Sequence, residues 1–232
     1  MTPAASSRRI RRNLDAVMTQ IQSATDRACR SRNSVLLVGV TKLATIEDTL
    51  ALLEAGCHVF GENRPEELAQ KAMVPELGRA VWHMIGTYQR RKIRDTLVSV
   101  SMVQSIDSWP LAQAISRRAV ELGKQIPSLI QVNVSGEPTK HGLSPSEIKD
   151  EFARYLDLPG LRVEGLMTMA PAGAPEARLH SIFGACRELR DTLASPAHPL
   201  PHLSMGMSSD FVPAILEGAT LVRIGSALFA PD

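Results

Sequence analysis

The chain has 232 residues, 44% hydrophobic and 22% charged, enough apolar material for a large folded core, which excludes disorder as its main state. Its 26 basic and 24 acidic residues leave a formal charge of +2, too small and dispersed for a nucleic-acid footprint, and 4% aromatics offer bases little to stack on. No run of about 18 apolar residues predicts a membrane span, and the opening MTPAASSRRIRRN lacks the apolar segment of a secretory signal, so a cytoplasmic protein is expected.

Three widely spaced cysteines, Cys29, Cys57 and Cys186, make neither a full disulfide framework nor a CxxC metal signature, and are expected as buried small hydrophobes. The one basic cluster, Arg8, Arg9, Arg11 and Arg12, reads as a solvated helix face.

Residues 10–31 carry Ile10, Leu14, Val17 and Ile21 at helical spacing, so residues 1–33 are expected to form a helix that packs on a domain of residues 34–232. The period then changes. Residues 34–41 are a short β-rich apolar run, suited to a strand buried on both faces, and Thr45 to Asp48 resemble a capping box opening a helix that Gly56 stops. The alternation repeats: residues 57–60 before a helix from about Glu62, 80–85 before one from about Tyr88, and 101–106 before one opening near Ser108 and stopping at Gly123. Residues 128–134 form a fifth strand, followed by Ser144-Pro-Ser-Glu147, which combines an N-cap, a proline at the first helical position and a boxed glutamate. Residues 161–167 precede a helix through about Arg190, and strands at 201–205 and 220–224 flank a helix at 210–216.

Eight buried strands alternating with helices predict a closed parallel (β/α)8 TIM-type barrel, since each parallel crossover must cover the sheet. An open doubly wound sheet is the competitor, but no Gly-x-Gly-x-x-Gly follows the first strand.

In such a barrel chemistry gathers at the C-terminal ends of the strands. Position alone selects Lys42, Asn63, His83, Asp107, Asn133, Thr168, residues 204–209 and residues 223–226. Lys42 closes an apolar run, where desolvation favours the free amine that condenses with a carbonyl; the plainer alternative is a lysine reaching solvent. Ser204-Met-Gly-Met-Ser-Ser-Asp210 and Arg223-Ile-Gly-Ser226 follow the seventh and eighth strands, the usual barrel site for a phosphate, although each by itself could be a turn. A carbonyl-reactive amine and a phosphate cradle in one mouth point to a phosphorylated aldehyde. No metal site is expected: His198 and His202 are four apart, but Pro196, Pro199 and Pro201 exclude a regular helix between them.

Several ordered blocks then carry a resemblance: LLVGVTK ending at Lys42, FGEN at 60–63, WHMIG at 82–86, QVNVSGE at 131–137, LSMGMSSD at 203–210 and VRIGSALF at 222–229. Over about Leu36 to Phe229 the sequence resembles the pyridoxal phosphate homeostasis proteins, barrels related to the N-terminal domain of alanine racemase. The resemblance implies that pyridoxal 5′-phosphate is held by Lys42 as a Schiff base, its phosphate by Ser208, Gly225 and Ser226, and its pyridine nitrogen faced by Arg223. Asn63, His83, Met167 and Met205 would line the ring pocket. Lys140 matches a further family lysine, a second aldehyde-capturing site or a surface lysine. The chain departs from the pattern at Ala44 and Thr45, where the family often has lysine and proline, and at Tyr88 and Arg91, where it has leucine and asparagine.

The resemblance implies cofactor buffering or supply within the cell, with pyridoxal-phosphate-dependent apoenzymes as recipients and a monomeric state. An arginine at the pyridine nitrogen weakens the electron sink needed for carbanion chemistry, and Tyr88 is the sole candidate for an opposite-face base, Tyr155 lying in a helix away from the mouth. The alternatives are a pyridoxal-phosphate-dependent racemase or decarboxylase, a cofactor-free Schiff-base aldolase acting on a sugar phosphate, and a scaffold using the arginine-rich N-terminal helix.

Overall fold

A computed structural model describes residues 3–137 and 140–231. In chain order it contains α1 (Pro3–Arg27), β1 (Leu36–Val40), α2 (Ile46–Glu54), β2 (Val59–Glu62), α3 (Pro65–Ala72), β3 (Val81–Met84), α4 (Arg90–Thr96), β4 (Met102–Ile106) and α5 (Trp109–Glu121). There follow β5 (Ile126–Gln131), α6 (Pro145–Leu156), β6 (Leu161–Met167), α7 (Glu176–Leu193), β7 (His202–Ser204), α8 (Phe211–Leu216), β8 (Leu221–Ile224) and α9 (Ser226–Phe229). Each strand pairs in parallel with the next and β8 closes on β1, giving the (β/α)8 barrel. No described helix is long and apolar enough to cross a membrane.

Local chemistry explains where the helices begin. Thr45 caps α2 by accepting from the Asp48 N–H at 3.1 Å. Ser144 and Glu147 form a complete capping box at α6, with Pro145 at its first position. The helix α1 buries Ile10, Leu14, Val17 and Ile21 and lies across the seam where the barrel closes. Ser6 Oγ donates to Asp48 Oδ1 at 2.8 Å, Arg11 donates to the Glu54 carbonyl at the end of α2, and Asn13 Nδ2 donates to the Leu228 and Ala230 carbonyls around α9.

Several expected boundaries move. The opening helix, expected within residues 1–33, runs from Pro3 to Arg27 and stops there as Cys29 takes a left-handed φ of 53° in the turn that follows. Cys29 is therefore exposed, and only Cys57 and Cys186 are buried as expected. The second strand runs on to Glu62, the expected helix start, and α3 begins at Pro65. The fifth strand occupies 126–131 rather than 128–134, since Asn133 and its neighbours turn back to bond within the following loop. A short helix, α9, also follows the last strand, where none was expected with clarity.

The sheet has two differently filled faces, as alternation along each strand requires. Toward the helices lies the large outer core, including Phe60, Trp82, Ile130, Leu203 and Val222. Inside the barrel Val38, Met102, Leu129, Met167 and Leu221 form a small apolar plug. On β4 and β8 the next residues of the inner face are Gln104 and Arg223, both buried, so a polar layer lies between that plug and the C-terminal mouth.

Candidate functional site

The inner polar layer is a continuous hydrogen-bonded chain. Arg223 Nη1 donates to Ser204 Oγ at 2.6 Å, and its Nη2 donates to the Thr168 carbonyl at 2.9 Å. Ser204 Oγ donates to Gln104 Oε1 at 2.6 Å, and Gln104 Nε2 meets His83 Nδ1 at 2.9 Å. Strands β4 and β7 are not neighbours in the sheet, so the Ser204–Gln104 bond crosses the barrel interior. Burial brings the Arg223 guanidinium down to about 10, so it stays cationic at neutral pH, with the nearby Asp210 carboxylate supporting its charge. Burial, with a smaller contribution from the His202 charge, brings His83 down to about 4, so its imidazole is neutral.

Above this layer the loops after β7 and β8 converge. The Ser208 hydroxyl accepts from the N–H groups of Gly225 at 3.3 Å and Ala227 at 3.4 Å. Ser226 is exposed beside them. The β7 loop is held from beneath: Gly206 has φ +94° and packs where a β-carbon would lie 2.7 Å from Ala214, its carbonyl accepts from the Arg223 N–H, and Asp210 accepts from the Met207 N–H. Burial pushes the Asp210 carboxyl up, although the Met207 N–H and the charge of Arg223 act against that shift.

Lys42 follows β1, the strand next to β8, whose loop supplies Gly225. Thr41 continues the β1–β2 ladder by donating its N–H to the Gly61 carbonyl at 3.1 Å, and the Ala44 N–H then closes a turn onto the Thr41 carbonyl at 2.9 Å. Lys42 lies within that turn, just past the end of β1, and is exposed rather than desolvated as its apolar flank predicted. It makes no hydrogen bond or ion pair among the described residues. Together with Thr45, Ile46, Glu67, Gln70 and Lys71 it borders a cavity of about 320 Å³ outside the barrel wall.

Below Lys42 sits a buried charge pair. Glu62, fully buried, accepts from Thr41 Oγ1 at 2.6 Å, from Lys71 Nζ at 2.5 Å and from the Asn63 N–H at 3.3 Å. Lys71 also donates to the Thr41 carbonyl at 2.7 Å. One carboxylate thus joins the residue before Lys42 to the backbone of Asn63.

Of the residues expected at the site, His83 and Arg223 lie on the inner wall, and Asn63, Ser208, Gly225 and Ser226 lie just past the C-terminal ends of their strands, whereas Lys42, past the end of β1, is exposed on the side of α2 and α3. Met167 belongs to the inner plug. Met205 does not reach the lumen: it follows Ser204 on the other face and packs in the outer core. Lys140 is half-buried in the β5–α6 loop, where its N–H donates to the Glu137 carbonyl and its own carbonyl accepts from Asn133. Tyr88 is buried, and its hydroxyl lies 2.7 Å from Thr96 Oγ1. Thr96 in turn donates to the Lys92 carbonyl, so the Tyr88 proton points to Thr96, and burial pushes the phenol up to about 12. Sequence reading missed Gln104, Glu62 and Lys71. The available signal was polarity out of place: a glutamine in the middle of the apolar strand MVQSI, and a carboxylate at the end of a buried one.

Residues 12–231 match the profile of the alanine racemase N-terminal domain family. A pyridoxal phosphate homeostasis protein of Aquifex aeolicus is 40% identical over 217 residues, covering 93% of this chain and 95% of that protein. PipY of Synechococcus elongatus, solved with and without pyridoxal phosphate, superposes in its bound form with a TM-score of 0.85 at 32% identity, covering 95% of this chain and all of that one. An alanine racemase of Clostridium difficile shares the fold at 17% identity with a TM-score of 0.72, and the match covers 94% of this chain but 56% of that one. By its matched profile and its full-length relatives, the chain belongs to the pyridoxal phosphate homeostasis proteins, within the alanine racemase N-terminal domain family.

Proposed function

We propose that this protein binds pyridoxal 5′-phosphate in the barrel mouth and takes part in vitamin B6 homeostasis, buffering the reactive aldehyde and supplying it to apoenzymes, without turnover of its own. The observation that carries this reading is the meeting of three loops. Ser208 Oγ lies within 3.4 Å of the N–H groups of Gly225 and Ala227, and Gly225 packs on Val40, two residues before Lys42. The residues present fit the cofactor: hydroxyl and backbone donors for a phosphate, a buried cation on the inner wall, and an amine at the rim.

In this reading Ser208, Gly225 and Ser226 hold the phosphate, and the exposed Lys42 supplies the ε-amine that captures the aldehyde with loss of water. Arg223 faces the pyridine nitrogen, with Asn63 and His83 beside the ring and Met167 beneath it. When bound, the cofactor supplies an electrophilic carbonyl carbon and a conjugated ring. Arg223 only donates hydrogen bonds, so it does not promote the protonated ring on which carbanion chemistry depends. Tyr88, the remaining candidate for an opposite-face base, keeps its proton in the bond to Thr96. Lys140 has its backbone engaged in its own loop and is assigned no essential role in retention. We take the protein to act as a cytoplasmic monomer.

Wild-type protein and Lys42→Ala, purified in parallel, test the binding reading by their visible absorption and by cofactor trapped with borohydride. Wild type is expected to be yellow and trappable and the variant neither; equal trapping in the two overturns it. Solvent deuterium appearing at the α-carbon of an amino acid, and lost in Lys42→Ala, would replace a carrier with a racemase.

A further inference from the structure

The bonds that cross the barrel constrain one another. Arg223 has no acceptor, so it donates to Ser204 Oγ and to the Thr168 carbonyl. Ser204 is fully buried, and among the described residues its hydroxyl meets only Arg223 and Gln104. Were the Gln104 amide turned round, its NH2 would face an oxygen that already accepts from Arg223, and the serine proton would be buried without an acceptor. The satisfied arrangement has Ser204 donating to Gln104 Oε1, which leaves Gln104 Nε2 to donate to His83 Nδ1 at 2.9 Å. A neutral imidazole that accepts at Nδ1 carries its proton on Nε2. That nitrogen has no partner among the described residues, although His83 is only 5% exposed.

We propose that Gln104 is a positioning residue that, through Ser204, carries the donor-only character of Arg223 across the barrel and holds His83 as its Nε2–H tautomer, presenting a hydrogen-bond donor to an acceptor atom of the bound cofactor. The inference rests on the reading that pyridoxal phosphate occupies the mouth. It also removes His83 from the groups able to abstract a proton there, because its open nitrogen is already protonated.

Long-range proton–nitrogen correlation spectra of the ligand-free protein, labelled with 15N-histidine and assigned with His83→Gln, read the tautomer directly. The expected pattern is an unprotonated Nδ1 and a protonated Nε2. In Gln104→Glu the side chain accepts rather than donates at neutral pH, so the proton is drawn to Nδ1 and the pattern is lost. Affinity for added pyridoxal phosphate then falls about tenfold, the size of one hydrogen bond to a charged group. Gln104→Met removes both bonds and gives a mixture of tautomers. A wild-type spectrum with the proton on Nδ1, or an unchanged pattern in both variants, overturns the proposal. A changed tautomer with unchanged affinity overturns the donation to the cofactor. A wild type that takes up no pyridoxal phosphate overturns the binding reading instead, and the ligand-free spectrum separates the two failures.

Discussion

Gly225 lies so close to β1 that a β-carbon on it would sit 3.1 Å from the Val40 carbonyl oxygen and 3.2 Å from the Val40 β-carbon. The contact sets the distance between the loop proposed to hold the phosphate and the strand that precedes Lys42. Gly225→Ala must push the two apart by a few tenths of an ångström, and the backbone there is not left-handed, so strain stays local. The expected result is weaker retention of pyridoxal phosphate, with a stability loss of about 1 kcal/mol. Equilibrium dialysis with the cofactor and urea unfolding check both; unaltered retention would disconnect this contact from the site.

Gly86 joins the loops after β2 and β3 in a harsher way. A β-carbon there would fall 2.4 Å from the Asn63 carbonyl oxygen and 2.6 Å from its Cα, while the Gly86 carbonyl accepts from Ser105 Oγ at 2.6 Å. Neither neighbour is a flexible side-chain end. Gly86→Ala is expected to displace Asn63 and destabilise the fold by about 3 kcal/mol, at the upper end for overpacking. A thermal midpoint unchanged from wild type would contradict this close approach.

Glu62 and Lys71 should be unequal to any surface ion pair. Their side chains are 0% and 11% exposed, and removing one partner leaves the other charge buried. Glu62→Ala is expected to cost about 3–5 kcal/mol and to slow capture of the aldehyde by Lys42, whose preceding residue loses its anchor. Urea unfolding and stopped-flow absorbance after mixing with pyridoxal phosphate measure the two effects; a loss as small as that of an exposed pair would show that the burial does not matter.

His83 gives stability a pH dependence. Burial and then the His202 charge lower it from 6.5 to about 4, so between these values the unfolded chain binds the proton and the folded chain does not. Its contribution is complete above pH 6.5 and is lost as the pH falls toward 4. His202, also lowered by burial, acts in the same direction. His83→Gln should flatten the fall in unfolding free energy across this window, read from urea titrations, by up to about 1.4 kcal/mol per pH unit. Parallel wild-type and variant profiles would sink the assignment.

Much of the barrel was legible because its signals are local. Buried parallel strands read as short apolar runs, and Thr45, Ser144 and Pro145 start helices through bonds within a few residues of themselves. The ends of elements were less legible, since they depend on partners: β2 extends to Glu62 because its carboxylate has Thr41 and Lys71 to meet. Met205 illustrates a different difficulty. A motif block carries it next to Ser204, but one step along a strand exchanges lumen for outer core.

The amino-acid sequence alone determined the alternation of strands and helices and the strand count, because periodicity is a property of short windows. Only the closed barrel decided that Lys42 stands exposed at the rim, that Glu62 meets Lys71, and that Arg223, Ser204, Gln104 and His83 form one chain. Gln104 and Ser204 are 100 residues apart and become partners only when eight strands enclose a lumen too dry to leave either of them unpaired.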